Sequence, residues 1–259
     1  MKNNMRKVLY VIVIIASRID IFFWKMVNFR KKRVLIFTDS RGFEITKWRN
    51  RKAPWNSYVS GIKRKYNADI YVCPEKHTTI FDFLFLYKNQ LGRVDYIAVI
   101  GHLGVVDFSP RAASQAKQVI EFKKHKIENV FGSEFYSDLY NVTEYDVKFE
   151  KENTASILKR SLLKRVAEEL NKIPNFIWIS CNPVINNWRG NYRRERPQNI
   201  DLVNDFSIDM CRYLHEKNKI DFTNWSPEDV KKYTCDNIHL SDLGMELIEM
   251  RLKSILNAS

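Results

Sequence analysis

Two short stretches carry the residue types that nucleophilic catalysis needs. The first, "RVLIFTDS", is an apolar run that ends in Ser40 and is followed by Arg41 and Gly42. The second, "YTCDNIHLSDLG" (233–244), sets Asp236 three residues before His239. A serine hydroxyl alone is a poor nucleophile: it needs a base to take its proton and a third group to fix that base's tautomer. His239 is the candidate base and Asp236 the candidate orienting carboxylate, because a short loop lets both side chains meet. The chain order Ser, Asp, His is one in which such triads occur. Each stretch also has a plain reading, Ser40 as a helix N-cap and residues 233–244 as a polar turn that opens the last helix.

For these residues to meet, the ends of distant segments must converge. "RVLIFTDS", "ADIYVC" (68–73), "VDYIAVIG" (94–101) and "NFIWISCNP" (175–183) are short continuous apolar runs, the pattern of strands buried on both faces of a parallel sheet. Helical periods lie between them. The clearest covers 156–172, with Leu158, Leu162, Val166 and Leu170 on one face; others cover 200–216 and 242–256. Strands alternating with helices predict an α/β domain whose central parallel sheet is covered on both faces. Reactive groups in such sheets gather at the carboxyl ends of the strands, where Ser40 falls. The N–H groups of a helix opening after Ser40 would serve an oxyanion. Residues 131–153 show no clean period and are expected to form an insertion near the site.

The chain has 259 residues, enough for one such domain. Its apolar content of 45% excludes a disordered protein. Lys and Arg number 43 against 30 acidic residues, a net charge of +13, which suits an anionic neighbour. The positive charge is dispersed and no nucleic-acid-binding signature accompanies it, so no nucleic acid partner is expected. Cys73, Cys181, Cys211 and Cys235 are far apart and form no CxxC pair. That pattern predicts no structural metal and no disulfide framework, and favours a reducing compartment.

The N-terminal "KVLYVIVIIASRIDIFFWKMV" (7–27) interrupts its apolar runs with Arg18 and Asp20. Each would cost roughly 2.5–3.5 kcal/mol at a bilayer centre, against about 0.3–0.6 returned per Leu, Ile, Phe or Val. Spanning is therefore marginal, and no small-x-small cleavage site follows the run. The flanking "FRKKR" (29–33) suits an anionic leaflet. Two readings stand: a helix over 1–32 that contacts a membrane surface through residues 8–33, or a plain helix packed on the domain 33–259.

Taken together, "FTDSRG" and "DNIHLSDLG" resemble the first and last blocks of SGNH (GDSL-type) hydrolases, over about residues 33–256. The resemblance implies a flavodoxin-like three-layer α/β/α fold, with Ser40 as nucleophile, His239 as base and Asp236 as its partner. The chain departs from the family pattern in places. Thr38 replaces the usual first-block glycine, Lys76 stands where a glycine is expected in "CPEKHTTIFDFL" (73–84), and "IGHLGVVDFSPR" (100–111) lacks the asparagine that helps bind the oxyanion. The candidate oxyanion donors are therefore the Ser40 and Gly104 backbone N–H groups, His102 and His77. His102 also reads as a structural histidine at a strand end, and Asp107 with Arg111 as a structural ion pair. The "GxVDFSPR" form resembles a divergent SGNH subgroup associated with bacterial surface-polysaccharide biosynthesis, which implies the bacterial cytoplasm, at the inner face of the membrane.

"NNWRGNYRRERP" (186–197) offers Trp188, Arg189, Tyr192 and Arg193 as substrate contacts, since Arg pairs with carboxylate or phosphate and aromatic rings stack on sugars. It reads equally as a solvated basic loop. The expected activity is serine-dependent hydrolysis or transfer of an acyl group, chiefly O-acetyl, on a carbohydrate: a bacterial surface polysaccharide or its precursor. No cofactor is implied; transfer would need an acyl donor such as acetyl-CoA. The rivals are a polysaccharide-binding or assembly protein that kept the fold with weakened catalysis, and a membrane-surface lipid esterase.

Overall fold

In the computed structural model, which describes residues 2–216 and 219–258, the sheet is built by the apolar runs. β1 (Arg33–Thr38), β2 (Asn67–Val72), β3 (Ala98–His102), β7 (Phe176–Ile179) and β8 (Lys219–Ile220) form one parallel sheet in the order β2-β1-β3-β7-β8. Counting these five in chain order gives 2-1-3-4-5, the flavodoxin-like winding. Both faces are apolar because successive side chains alternate. Leu35, Phe37, Val99, Phe176 and Trp178 face one core. Val34, Ile36, Ala98, Ile100, Ile177 and Ile179 face the other. The first core is closed by α3 (Ile80–Leu86), α6 (Lys124–Phe131), α7 (Ser133–Tyr140), α8 (Leu163–Asn171) and α9 (Leu202–Tyr213), the second by α2 (Tyr58–Lys63) and α11 (Asp242–Ala258). The fold is therefore a three-layer α/β/α arrangement.

The remaining elements are α1 (Lys2–Val27), α4 (Val105–Phe108), α5 (Ala113–Phe122), α10 (Pro227–Tyr233) and the strands β4 (Arg111–Ala112), β5 (Glu144–Phe149) and β6 (Glu152–Ala155). α1 packs on the sheet's β2 side. Val13, Ser17 and Asn28 are buried. Asp20 pairs with Lys63 and accepts from Trp55 Nε1 at 3.1 Å, Lys25 pairs with Asp69, and Asn28 Nδ2 donates to the Lys63 carbonyl at 2.8 Å. Among the described residues no helix is long and apolar enough to cross a membrane.

Several expectations are corrected. No α-helix follows Ser40 directly; a 3-10 turn (Ser40–Gly42) does, with a second at Asn50–Lys52, and α2 begins only at Tyr58. The strand read over 94–101 starts at Ala98, and the helix read from 156 starts at Leu163, leaving Leu158 buried in the segment before it. Residues 131–153, where no period could be read, hold α7 and a hairpin, β5 with β6, that pairs with β4 in a second, antiparallel sheet. β8, two residues long, escaped a period-based reading.

Candidate active site

Parallel register sets the geometry of the site. Thr38 of β1 is opposite His102 of β3, so the chain leaves the sheet at the same level in both strands, with Ser40 and Gly104 each two residues beyond. This is the crevice where the winding reverses, the usual place for a ligand in such sheets. Asp39 is buried and caps the turn, its Oδ1 accepting from Arg41 N at 2.9 Å. The cap is thus Asp39, and the Ser40 hydroxyl is not used by the turn.

The stretch 233–244 is both a turn and a cap. Thr234 bridges to Leu240, and Cys235 N donates to the His239 carbonyl at 2.8 Å, closing a loop. Asn237 sits at its tip with φ +75°, a left-handed conformation that Asn tolerates better than most residues. That reversal sets Asp236 and His239 on one side. The Ser241 carbonyl then accepts from Met245 N at 2.9 Å as α11 begins.

His239 Nε2 lies 2.8 Å from Ser40 Oγ, and His239 Nδ1 lies 2.8 Å from Asp236 Oδ2. Asp236 Oδ1 accepts from the backbone N–H groups of Ile238 at 3.1 Å and His239 at 2.7 Å. Burial would raise the Asp236 pKa, but its bonds to His239 and to these N–H groups outweigh burial and hold it below the usual carboxylate range. An ionised Asp236 fixes the proton on Nδ1 and leaves the Nε2 lone pair for the serine hydroxyl. The sequence-predicted trio is therefore assembled from residues 199 positions apart in the chain.

The oxyanion candidates separate. Among the described residues neither the Ser40 nor the Gly104 N–H donates to a protein acceptor. Gly104 has φ +108°, and a Cβ there would lie 2.6 Å from the Phe108 ring. His102 does not belong to this set: it is buried and shares a 2.8 Å hydrogen bond with the Tyr58 hydroxyl in the second core. Burial and the Arg41 charge push its pKa well below the ordinary value, so it is neutral. His77 lies on the exposed turn before α3 and forms no hydrogen bond to the triad. Burial, with Arg111, Lys76 and Lys123 nearby, lowers its pKa. Asp107 and Arg111 do not form an ion pair. Asp107 accepts from Ile80 N at 3.1 Å, while the Arg111 guanidinium donates to the Val106 carbonyl at 2.5 Å. Burial, with the charges of Asp82 and Asp39, pushes Asp107 up to about 7.

Sequence reasoning passed over Arg41. Its guanidinium is 1% exposed beside an equally buried Asp39. It donates to Asp39 Oδ1 at 3.0 Å and Oδ2 at 2.9 Å, to the Leu103 carbonyl at 2.7 Å and to the Ser180 carbonyl at 3.3 Å. Burial opposes its charge, but Asp39 outweighs burial and its pKa stays above the ordinary value. One side chain thus ties together the ends of β1, β3 and β7 and holds the residue before Gly104. The signal available in the sequence was an Asp-Ser-Arg run at a strand end, where a buried cation needs a partner.

The 186–197 segment leans on the acid loop. Asn191 N donates to the Cys235 carbonyl at 2.8 Å, and Arg196 donates to the Asp236 carbonyl at 2.7 Å with its guanidinium 3.7 Å from the Tyr192 ring centre. One face of Tyr192 is therefore covered, and that ring anchors the loop. Trp188 is half-buried, and Arg189 and Arg193 are exposed beside the site. A cleft of about 410 Å³, lined by Ile97, Pro174 and Ile255 among others, opens at the opposite, amino end of β3 and β7 and holds none of these residues.

No protein-family model and no curated protein matches the chain. Among solved structures, LAE5, an alpha/beta hydrolase enzyme from the metagenome of Lake Arreo, Spain, is similar at 13% identity, covering 87% of this chain and 95% of that one with a TM-score of 0.42. A likeness at that level carries no argument about chemistry, and the fold assignment rests on the strand order and the two cores.

Proposed function

We propose that this chain is an acyl-ester enzyme of SGNH type, in which Ser40 is the nucleophile, His239 the general base and Asp236 the residue that orients it. The observation that carries the reading is the pair of 2.8 Å hydrogen bonds running from Ser40 Oγ through His239 to Asp236 at the carboxyl end of β1. His239 Nε2 takes the hydroxyl proton as Ser40 Oγ bonds to the ester carbonyl carbon. The negative charge develops on the former carbonyl oxygen, towards the Ser40 and Gly104 N–H groups. His239 then returns the proton to the leaving alkoxide, leaving an acyl-Ser40. A water or a sugar hydroxyl, deprotonated by the same ring, attacks that ester and regenerates the serine. With the family asparagine missing, two backbone donors replace a three-donor set; loss of one donor costs roughly 10²–10³ in rate. The expected turnover is accordingly modest.

The substrate proposed is an O-acetylated bacterial surface glycan or its precursor. The half-buried Trp188 and the exposed Arg189 and Arg193 beside the triad loop support a polar, sugar-bearing ligand. The test is acetate release from O-acetylated polysaccharide, measured beside p-nitrophenyl acetate and p-nitrophenyl palmitate. The reading expects acetyl esters to be cleaved and palmitate to be ignored. Preference for palmitate would assign the chain to lipid esters, and inertness to all three would assign it to binding or assembly.

A further inference from the structure

One face of α1 is left without a protein partner. Val8, Ile12, Ile15, Ile19, Phe22 and Met26 are each more than half exposed. Their alternating spacing of four and three puts them on a single stripe. Val11 and Phe23, also more than half exposed, widen it to an arc of about 120° at 3.6 residues per turn. Between Val8 and Val27 no polar side chain falls within that arc. A contiguous apolar patch of this kind marks a contact surface. Arg18 borders it, and the exposed Arg30, Lys31 and Lys32 follow its end.

We infer that this face docks α1 in the plane of an anionic lipid bilayer, at the headgroup–acyl boundary. The opposite face of the helix is fixed to the domain through Val13, Ser17, Asn28 and the Asp20–Lys63 pair. Crossing the bilayer would strip those contacts and carry Arg18 and Asp20 into hydrocarbon; lying in the interface disturbs none of them. A second copy of the chain fits less well. Pairing two α1 helices along this stripe in either direction sets cation against cation, and in the antiparallel case the two Arg18 side chains fall near the two-fold axis. The one acid at that level, Asp20, is turned inward to Lys63 and Trp55. A paired-helix seam also uses a narrow stripe, whereas an interfacial helix buries a wide one. Lipid phosphates supply the complement that a second copy lacks. Tyr10 packs edge-on against Trp48, ring centres 6.3 Å apart, in the segment that follows Ser40. The amino-terminal half of α1 is therefore at the triad's end of the sheet, and docking would hold that rim beside the lipid. This inference does not depend on what Ser40 does.

The experiment is co-sedimentation of the full chain with vesicles of equal parts phosphatidylglycerol and phosphatidylcholine, and with phosphatidylcholine alone. It is run beside the double variant Ile15→Ser/Ile19→Ser and the triple variant Arg30→Gln/Lys31→Gln/Lys32→Gln. All five substituted side chains are exposed, so unchanged circular dichroism melting is expected and is checked. Binding to the mixed vesicles should weaken roughly tenfold or more in each variant, and should weaken as salt rises and screens the headgroups. Absence of the wild type from the vesicle pellet, or equal sedimentation of the double variant, would overturn the inference. So would a dimer in analytical ultracentrifugation that the double variant dissolves, which would assign the stripe to a second copy.

Discussion

Arg41 is where the account can be pressed hardest, because a residue outside the triad is assigned the task of holding the site together. Arg41→Met keeps the length of the side chain and removes its charge. It leaves the Asp39 carboxylate buried with no cation, and it frees the Leu103 and Ser180 carbonyls. Breaking a buried pair by removing one partner costs about 3–5 kcal/mol, because the remaining charge is uncompensated. Against a typical total stability of about 5–15 kcal/mol, the variant should fold but melt early. Pairing it with Asp39→Asn removes the stranded charge while the amide oxygen can still accept from the backbone N–H of position 41. The double variant should therefore be more stable than Arg41→Met alone, by roughly 1–3 kcal/mol. Urea unfolding followed by circular dichroism reads both values from the midpoint, provided the slope is unchanged. The activity of both variants should also fall, since the Leu103 carbonyl that steadies Gly104 has lost its donor. A cost below about 1 kcal/mol for Arg41→Met, or a double variant whose cost equals the sum of the two singles, would refute the reasoning.

Four further outcomes follow, from three variants. Gly104→Ala forces a side chain into φ +108° and to 2.6 Å from the Phe108 ring; kcat for p-nitrophenyl acetate should drop up to about a hundredfold as the N–H is displaced, with KM little changed. Asp236→Asn should lower kcat by about 10³–10⁴ by favouring the wrong His239 tautomer. The same variant should lose less stability in acid than wild type: the depressed Asp236 pKa contributes stability above the ordinary carboxylate range, which is lost as pH falls through the folded value. Asp107, held near 7, behaves oppositely. The folded state keeps its proton where the unfolded chain has released it, so this group lowers stability as pH rises from about 4 to about 7. Asp107→Asn, which can still accept from Ile80 N, should raise the melting temperature above pH 7 and change it little near pH 4, as read by calorimetry.

The sheet was legible because its strands are buried on both faces, which leaves an unbroken apolar run as a mark on the sequence. β8 was not, since two residues carry no period and its place is fixed by pairing with Trp178 and Ile179. The hairpin β5–β6 was missed for a related reason: its β5 alternates exposed and half-buried positions, and packing against one neighbour leaves too weak a pattern. Ser40, Asp236 and His239 could be read together because each needs a chemical partner and lies at an element boundary. Arg41 was the hardest part of the site to read: the Asp-Ser-Arg run at a strand end is its one mark in the sequence, and the convergence of three strand ends is what buries it. His102 carried two readings in sequence, an oxyanion donor and a structural histidine at a strand end; strand alternation turns it into the second core, onto Tyr58, which is the structural one.

The most direct test of the central claim is covalent labelling of the purified chain with a fluorescent fluorophosphonate, located by mass spectrometry of the digested protein. The account predicts one adduct, on the peptide carrying Ser40, lost in Ser40→Ala and strongly slowed in His239→Ala while both variants keep the wild-type circular dichroism spectrum. A folded wild type that takes no label, or an adduct that survives Ser40→Ala, would contradict it.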